Sequence, residues 1–200
     1  MSCPLCPPTP KLQVYYEEVM IIGITGPLGA GKGTVAEYLT KKHNLLYLSV
    51  RSFFAEEVLK RGQMTSRDNI TTVARDLRAE QGQTYALEQL MARAGRGGRG
   101  IVIESIRTVP EAEFIKSKDG SLWCVQADLE TRYKRFIGKA LPQDVLSFEQ
   151  FSANDKLDME VNDPTNQNLA AVCQMAQTGI DNNGSKEELY SQVEEALKKL

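Results

Sequence analysis

Nine consecutive residues, Gly26-Pro27-Leu28-Gly29-Ala30-Gly31-Lys32-Gly33-Thr34, satisfy the spacing G-x-x-x-x-G-K. Glycines at this density let the backbone curl so that successive N–H groups point into one concavity, which suits a polyphosphate. Leu28, Ala30 and Gly33 contribute through their backbone only. A helix opening at the end of the run adds its positive terminus. Lys32 supplies a full charge for the β- and γ-phosphates. The position after Lys32, where a Ser or Thr commonly ligates Mg²⁺, is Gly33. Thr34 is therefore the one loop hydroxyl available to a metal, and magnesium is expected to ride mainly on phosphates and waters.

Further along, Glu104 ends an apolar run, Ile101-Val102-Ile103-Glu104, and Arg107 follows it closely. A carboxylate there can orient an accepting oxygen or hold a magnesium-bound water. A guanidinium there can fork onto a phosphate. Arg132 and Arg135 are one helical turn apart and share a face, as do Arg75 and Arg78. Ser49 and Arg51 follow a short apolar run. Ser49, Arg51, Arg75, Arg78 and Arg107 are the available ligands for a second anionic group.

The elements that must position these residues are legible from periodicity. Short β-branched runs at 19–25, 45–49, 101–104 and 122–127, with a weak one at 178–181, read as strands. Helical patterns follow from within the glycine loop and at 53–61, 68–80 and 84–94. Thr108-Val109-Pro110-Glu111, Ser147-x-x-Gln150 and Ser185-x-x-Glu188 mark helix starts by their capping boxes. The run at 95–100 is expected to be a plain connector rather than a nucleic-acid segment. Strands alternating with helices give a parallel sheet covered on both faces, and ligands lie beyond the carboxyl ends of its strands. The candidate residues fall at those ends.

Bulk properties narrow the partners. The 200 residues carry 24 Lys and Arg against 26 Asp and Glu, for a net charge of −2. Such a balance does not indicate a nucleic-acid binder. Cys3, Cys6, Cys124 and Cys173 are scattered, and they are expected to be unbridged thiols in a cytoplasmic protein. Cys3 and Cys6 lack further metal ligands, since His43 is the only histidine. No apolar run approaches the ~18 residues of a membrane span. Residues 1–18 are expected to be a flexible extension, neither basic nor apolar enough for a secretory leader.

The run Gly-x-x-Gly-x-Gly-Lys-Gly-Thr resembles the phosphate loop of adenylate kinase and its nucleoside monophosphate kinase relatives. The order of the downstream motifs resembles that of dephospho-CoA kinase-like and monophosphate kinase-like P-loop proteins over residues 19–200. Those motifs are the strand ending in Glu104 with Arg107 after it, the Arg-rich helix of Arg132 and Arg135, and the late turn Asp181-Asn182-Asn183-Gly184. The resemblance implies a three-layer α/β/α P-loop NTPase fold on a five-stranded parallel sheet. It implies an acceptor-binding segment over 49–100 and a lid over ~132–160. It also implies Lys32, Glu104, Arg132 and Arg135 as catalytic groups and Asn182 and Gly184 beside the donor's base. The position 139–140, where relatives often have another lid Arg, is Lys139-Ala140.

The expected activity is ATP- and Mg²⁺-dependent phosphoryl transfer to a nucleotide-like acceptor, foremost a (deoxy)nucleoside monophosphate, by a monomer or small homo-oligomer. Dephospho-CoA is the alternative acceptor. A nucleotide switch is disfavoured because Asn154-Asp155-Lys156-Leu157-Asp158 does not match the guanine-reading Asn-Lys-x-Asp turn. A non-catalytic nucleotide-binding module is the remaining class.

Overall fold

A computed structural model describes residues 19–94, 100–139, 145–159 and 167–200. The expectations for Cys3, Cys6 and the 95–99 connector lie outside these residues. Five parallel strands form one sheet: β1 (Met20–Thr25), β2 (Leu46–Ser49), β3 (Gly100–Glu104), β4 (Ser121–Gln126) and β5 (Thr178–Asp181), in the spatial order β2-β3-β1-β4-β5. Strand alternation sends residues to two separate cores. Ile21, Ile101, Ile103 and Leu122 face a layer made by α2 (Val50–Lys60), α3 (Arg67–Gln81), α4 (Tyr85–Ala94), α5 (Val109–Ser117) and α8 (Leu169–Gln174). Ile22, Ile24, Val102, Trp123, Val125 and Ile180 face α1 (Lys32–His43) and α9 (Lys186–Leu197). The fold is three-layer α/β/α, as expected.

The remaining helices are α6 (Leu129–Ile137) and α7 (Phe148–Met159), joined by an aromatic cluster of Tyr133, Phe136, Phe148 and Phe151. Capping boxes at Thr108/Glu111 and Ser185/Glu188 are present as the sequence predicts. At Ser147/Gln150 both reciprocal bonds also form.

Three details differ from the expectations. First, α2 begins at Val50, directly after β2, because Ser49 Oγ accepts the N–H of Ser52 and caps the helix. Ser49 is thereby buried as a cap, and Arg51 lies in the first helical turn rather than in a loop. Second, α8 is a helix the periodicity did not announce, started by Asn168 Oδ1 accepting the Ala171 N–H. Third, Cys124 of β4 and Cys173 of α8 form a disulfide across 49 residues. The expectation of unbridged cysteines is corrected for this pair, which the packing of α8 onto the sheet brings together. Among the described residues no helix is long and apolar enough to cross a membrane.

Candidate active site

In-register pairing aligns Ser49 with Glu104 and Ile24 with Glu104, so the carboxyl ends of β2, β3 and β1 open on one side. The glycine loop leaves β1 at that edge and turns into α1. Gly31 caps α1 in the left-handed region at φ 99°. A Cβ there would lie 2.0 Å from Asn182 Nδ2, so only glycine fits both the dihedral and the space. Gly29, at φ 78°, is closed off in the same way by the backbone carbonyl of Arg132. Gly33 faces open space.

Lys32 is 8% exposed, and its Nζ donates to the carbonyls of Gly26 and Pro27, each at 2.8 Å. Burial lowers its pKa to about 7, helped by the positive charges of Arg107 and Arg132 and opposed by Glu104 and Asp158. A lysine that feels those four groups shares one electrostatic site with them. The sequence-predicted Lys32, Glu104, Arg107 and Arg132 are thus brought together.

Arg132 is only 6% exposed. Its Nε donates to Ala127 O at 2.9 Å, and a terminal nitrogen donates to Leu28 O of the glycine loop at 3.2 Å. Both terminal nitrogens reach Asp155 of α7 at 2.6 Å. The residue is braced against the loop and does not stand on a solvated face. Arg135, the next turn along, has a buried terminal nitrogen with no hydrogen-bond partner.

Arg107 follows β3 through a bent exit. The N–H groups of Ser105 and Ile106 both donate to Ile24 O, and Ser105 takes φ 72°. Burial lowers the pKa of Arg107, and the nearby Arg51 and Arg67 add to the effect against Asp158. Arg67 holds Asp158 at 2.8 and 2.9 Å, and Arg107 lies 3.7 Å from the same carboxylate while donating to Gln167 at 2.6 Å. Two guanidinium groups, those of Arg67 and Arg107, therefore flank one carboxylate.

Glu104 accepts from the Tyr47 hydroxyl at 2.5 Å. Burial, with Glu104 beside it, pushes the Tyr47 phenol up to about 12, so it stays a donor at ordinary pH. No group of three His, Cys, Asp or Glu able to hold a metal occurs among the described residues. Glu104 and the half-buried Thr34, in the first turn of α1, are the oxygen-bearing side chains that would fit a magnesium ion carried on nucleotide phosphates.

Other expected residues sit elsewhere. Arg78 turns into the core, where its Nε and a terminal nitrogen reach Glu111 Oε1 at 3.2 and 2.7 Å, with Phe54 stacked on it. A guanidinium so committed is a structural support, and the expectation that it binds an acceptor is withdrawn. Arg75 is 58% exposed, with Asp76 as its near neighbour, so the pair does not converge. Asn182 is buried and donates to Ala30 O at 2.7 Å, bracing the glycine loop from beneath. Gly184 makes room for the Glu188 carboxylate that caps α9.

Sequence reasoning missed Arg67, Tyr47, Asp155 and Asp158. Only Tyr47 carried a usable signal, being two residues before Ser49 and on its face of the strand.

A family model described as an AAA domain matches residues 22–144. The chain belongs to that family. The matched stretch holds Lys32, Glu104, Arg107, Arg132 and Arg135, while α7 and the Asn182 turn lie beyond it. A UPF0200 protein of Pyrobaculum aerophilum is 27% identical over 139 residues, covering 68% of this chain and 76% of that protein. Among solved structures, TT1252 from Thermus thermophilus is similar at TM-score 0.56 and 24% identity, covering 92% of this chain and 99% of that one. Shikimate kinase from Bacteroides thetaiotaomicron is similar at TM-score 0.57 and 14% identity, covering 90% and 99%. The fold is that of P-loop kinases. These likenesses do not single out monophosphate kinases or dephospho-CoA kinases.

Proposed function

We propose that the chain is an ATP-dependent phosphotransferase whose acceptor is itself phosphorylated, with a (deoxy)nucleoside monophosphate as the acceptor class. The observation that carries this reading is the pair of guanidinium groups, Arg67 and Arg107, gathered on the Asp158 carboxylate beside the carboxyl end of β3. A neutral alcohol acceptor would need no such charge; a phosphate dianion does.

The donor's phosphates lie along the N–H groups of the glycine loop and the start of α1. Lys32 leaves the Gly26 and Pro27 carbonyls and takes a β–γ phosphate oxygen, becoming fully protonated against that charge. Arg132 and Arg135 face the transferring group from α6, within the segment proposed as a lid. Arg107 and Arg67 fork onto the acceptor's phosphate. One oxygen of that phosphate attacks the γ-phosphorus, and the bond from the γ-phosphorus to the β–γ bridging oxygen breaks to release the diphosphate. The attacking oxygen is already ionised, so no base is needed. A magnesium ion carried in on the nucleotide would neutralise phosphate charge, and Glu104 would hold one of its waters. Positioned cations and exclusion of water do the rest of the catalysis.

The test is a comparison of each nucleoside monophosphate with its parent nucleoside as acceptor in the presence of MgATP. The reading expects transfer to at least one monophosphate and none to the nucleosides. Transfer to nucleosides at equal efficiency sinks it.

A further inference from the structure

Helix α7 is weakly rooted. Phe151 is its one buried side chain among the described residues, with ring centroids 5.5 Å from Tyr133 and 5.2 Å from Phe136 of α6. Leu157 is 66% exposed. Phe148 adds an edge contact on Tyr133, and two carboxylates that share one face add ion pairs. Asp155 grips Arg132 fork to fork, and Asp158 grips Arg67 with Arg107 at its side. Of these arginines, Arg107 and Arg132 are the cations whose charge Lys32 feels. A carboxylate on a guanidinium offers the same two-oxygen edge as a phosphate.

We propose that Asp155 and Asp158 are internal stand-ins for the two substrates' phosphates, forming a latch that holds α7 across the site and yields as the substrates bind. The proposal rests on the phosphotransferase reading above. Asp155 guards the donor side, because Arg132 also holds Leu28 of the glycine loop. Asp158 guards the acceptor side, at Arg107 and Arg67. One carboxylate between Arg67 and Arg107 leaves positive charge uncompensated, so a phosphate dianion outcompetes it. Each substrate's apparent affinity is reduced by the fraction of molecules still latched. Because both carboxylates ride on one short helix, loss of one grip weakens the other. Donor binding therefore eases acceptor binding, and the converse holds equally.

The test is titration calorimetry on the full chain, using a non-hydrolysable ATP analogue with Mg²⁺ and, separately, inorganic phosphate. Asp155→Asn is expected to bind the analogue about 5-fold tighter or more, and Asp158→Asn to bind inorganic phosphate tighter by a similar factor. In the wild type the analogue tightens phosphate binding, and the double variant loses that coupling. Folded variants that bind unchanged or more weakly overturn the latch. Because the substitutions also touch the packing of α7, hydrogen exchange on the wild type is a second measure. Saturating analogue is expected to speed exchange over residues 148–159; unchanged or slower exchange overturns the proposal. A wild type that binds no analogue at all fails the phosphotransferase reading and takes the latch with it. A wild type that binds, with indifferent variants, fails the latch alone.

Discussion

Glu111 holds Arg78 with one carboxylate oxygen and the backbone of Arg107 with the other. Its Oε1 takes the Arg78 guanidinium, while its Oε2 accepts the N–H groups of Arg107 at 2.9 Å and Thr108 at 3.2 Å. A helix-capping residue thus links α3 to the loop that carries Arg107. The pair is 5% and 1% exposed, so removing one partner strands the other's charge in the core. Glu111→Gln is expected to destabilise the fold by about 3 kcal/mol or more. Denaturant unfolding checks it. A loss within the range of ordinary surface substitutions contradicts this role.

The state of Lys32 makes nucleotide binding proton-linked. Its pKa is about 7 against an ordinary 10.5. Between those values the unfolded chain binds more protons than the folded one, so this group makes stability rise with pH across that window. Phosphates restore the charged form. Binding of MgATP at about pH 8 should therefore take up close to one proton, and far less at about pH 6. Calorimetry in buffers of different ionisation enthalpy measures the uptake. Equal uptake at both values contradicts the shift.

The glycine loop discriminates sharply between neighbouring positions. Gly31→Ala forces a Cβ onto the Asn182 amide and a side chain into the left-handed region. It should weaken nucleotide binding about 10-fold or more by displacing the loop. Gly33→Ser meets nothing within 4 Å and should leave stability unchanged. Paired thermal denaturation and nucleotide titration separate the two outcomes, and equal effects would refute the geometry described.

Arg107 and Arg75 offer a contrast of the same kind. Arg107→Ala should raise the KM for a phosphorylated acceptor about 10-fold or more, with little change in the KM for ATP. Arg75→Ala should alter neither, because that side chain is solvated on α3. Steady-state kinetics with both substrates varied decides it, and a matching loss in the two variants removes Arg107 from the acceptor side.

The contrast between Arg75 and Arg78 also shows how far the sequence was legible. The glycine loop, the strands and the capping boxes rest on short-range rules, and each was placed to within a few residues. The carboxyl-edge location of Glu104 and Arg107 followed from the topology. Helical spacing put Arg75 and Arg78 on one face, but it does not say that Arg78 meets Glu111 in the core. The partners that decide such matters are distant: Asp155 is 23 residues from Arg132, and Asp158 is 91 from Arg67. The pairing of Cys124 with Cys173 across 49 residues was hidden for the same reason, because α8 gives only a short, weak local pattern.

The most direct test is a coupled ADP-release assay with MgATP over a panel of ribo- and deoxyribonucleoside monophosphates and dephospho-CoA, run on the wild type and on Lys32→Ala. The account predicts that at least one monophosphate raises ADP formation well above the acceptor-free rate. It also predicts that Lys32→Ala, still folded, loses about 10²-fold or more of that rate. ADP formation that no acceptor accelerates, or that survives the loss of Lys32 unchanged, would contradict it.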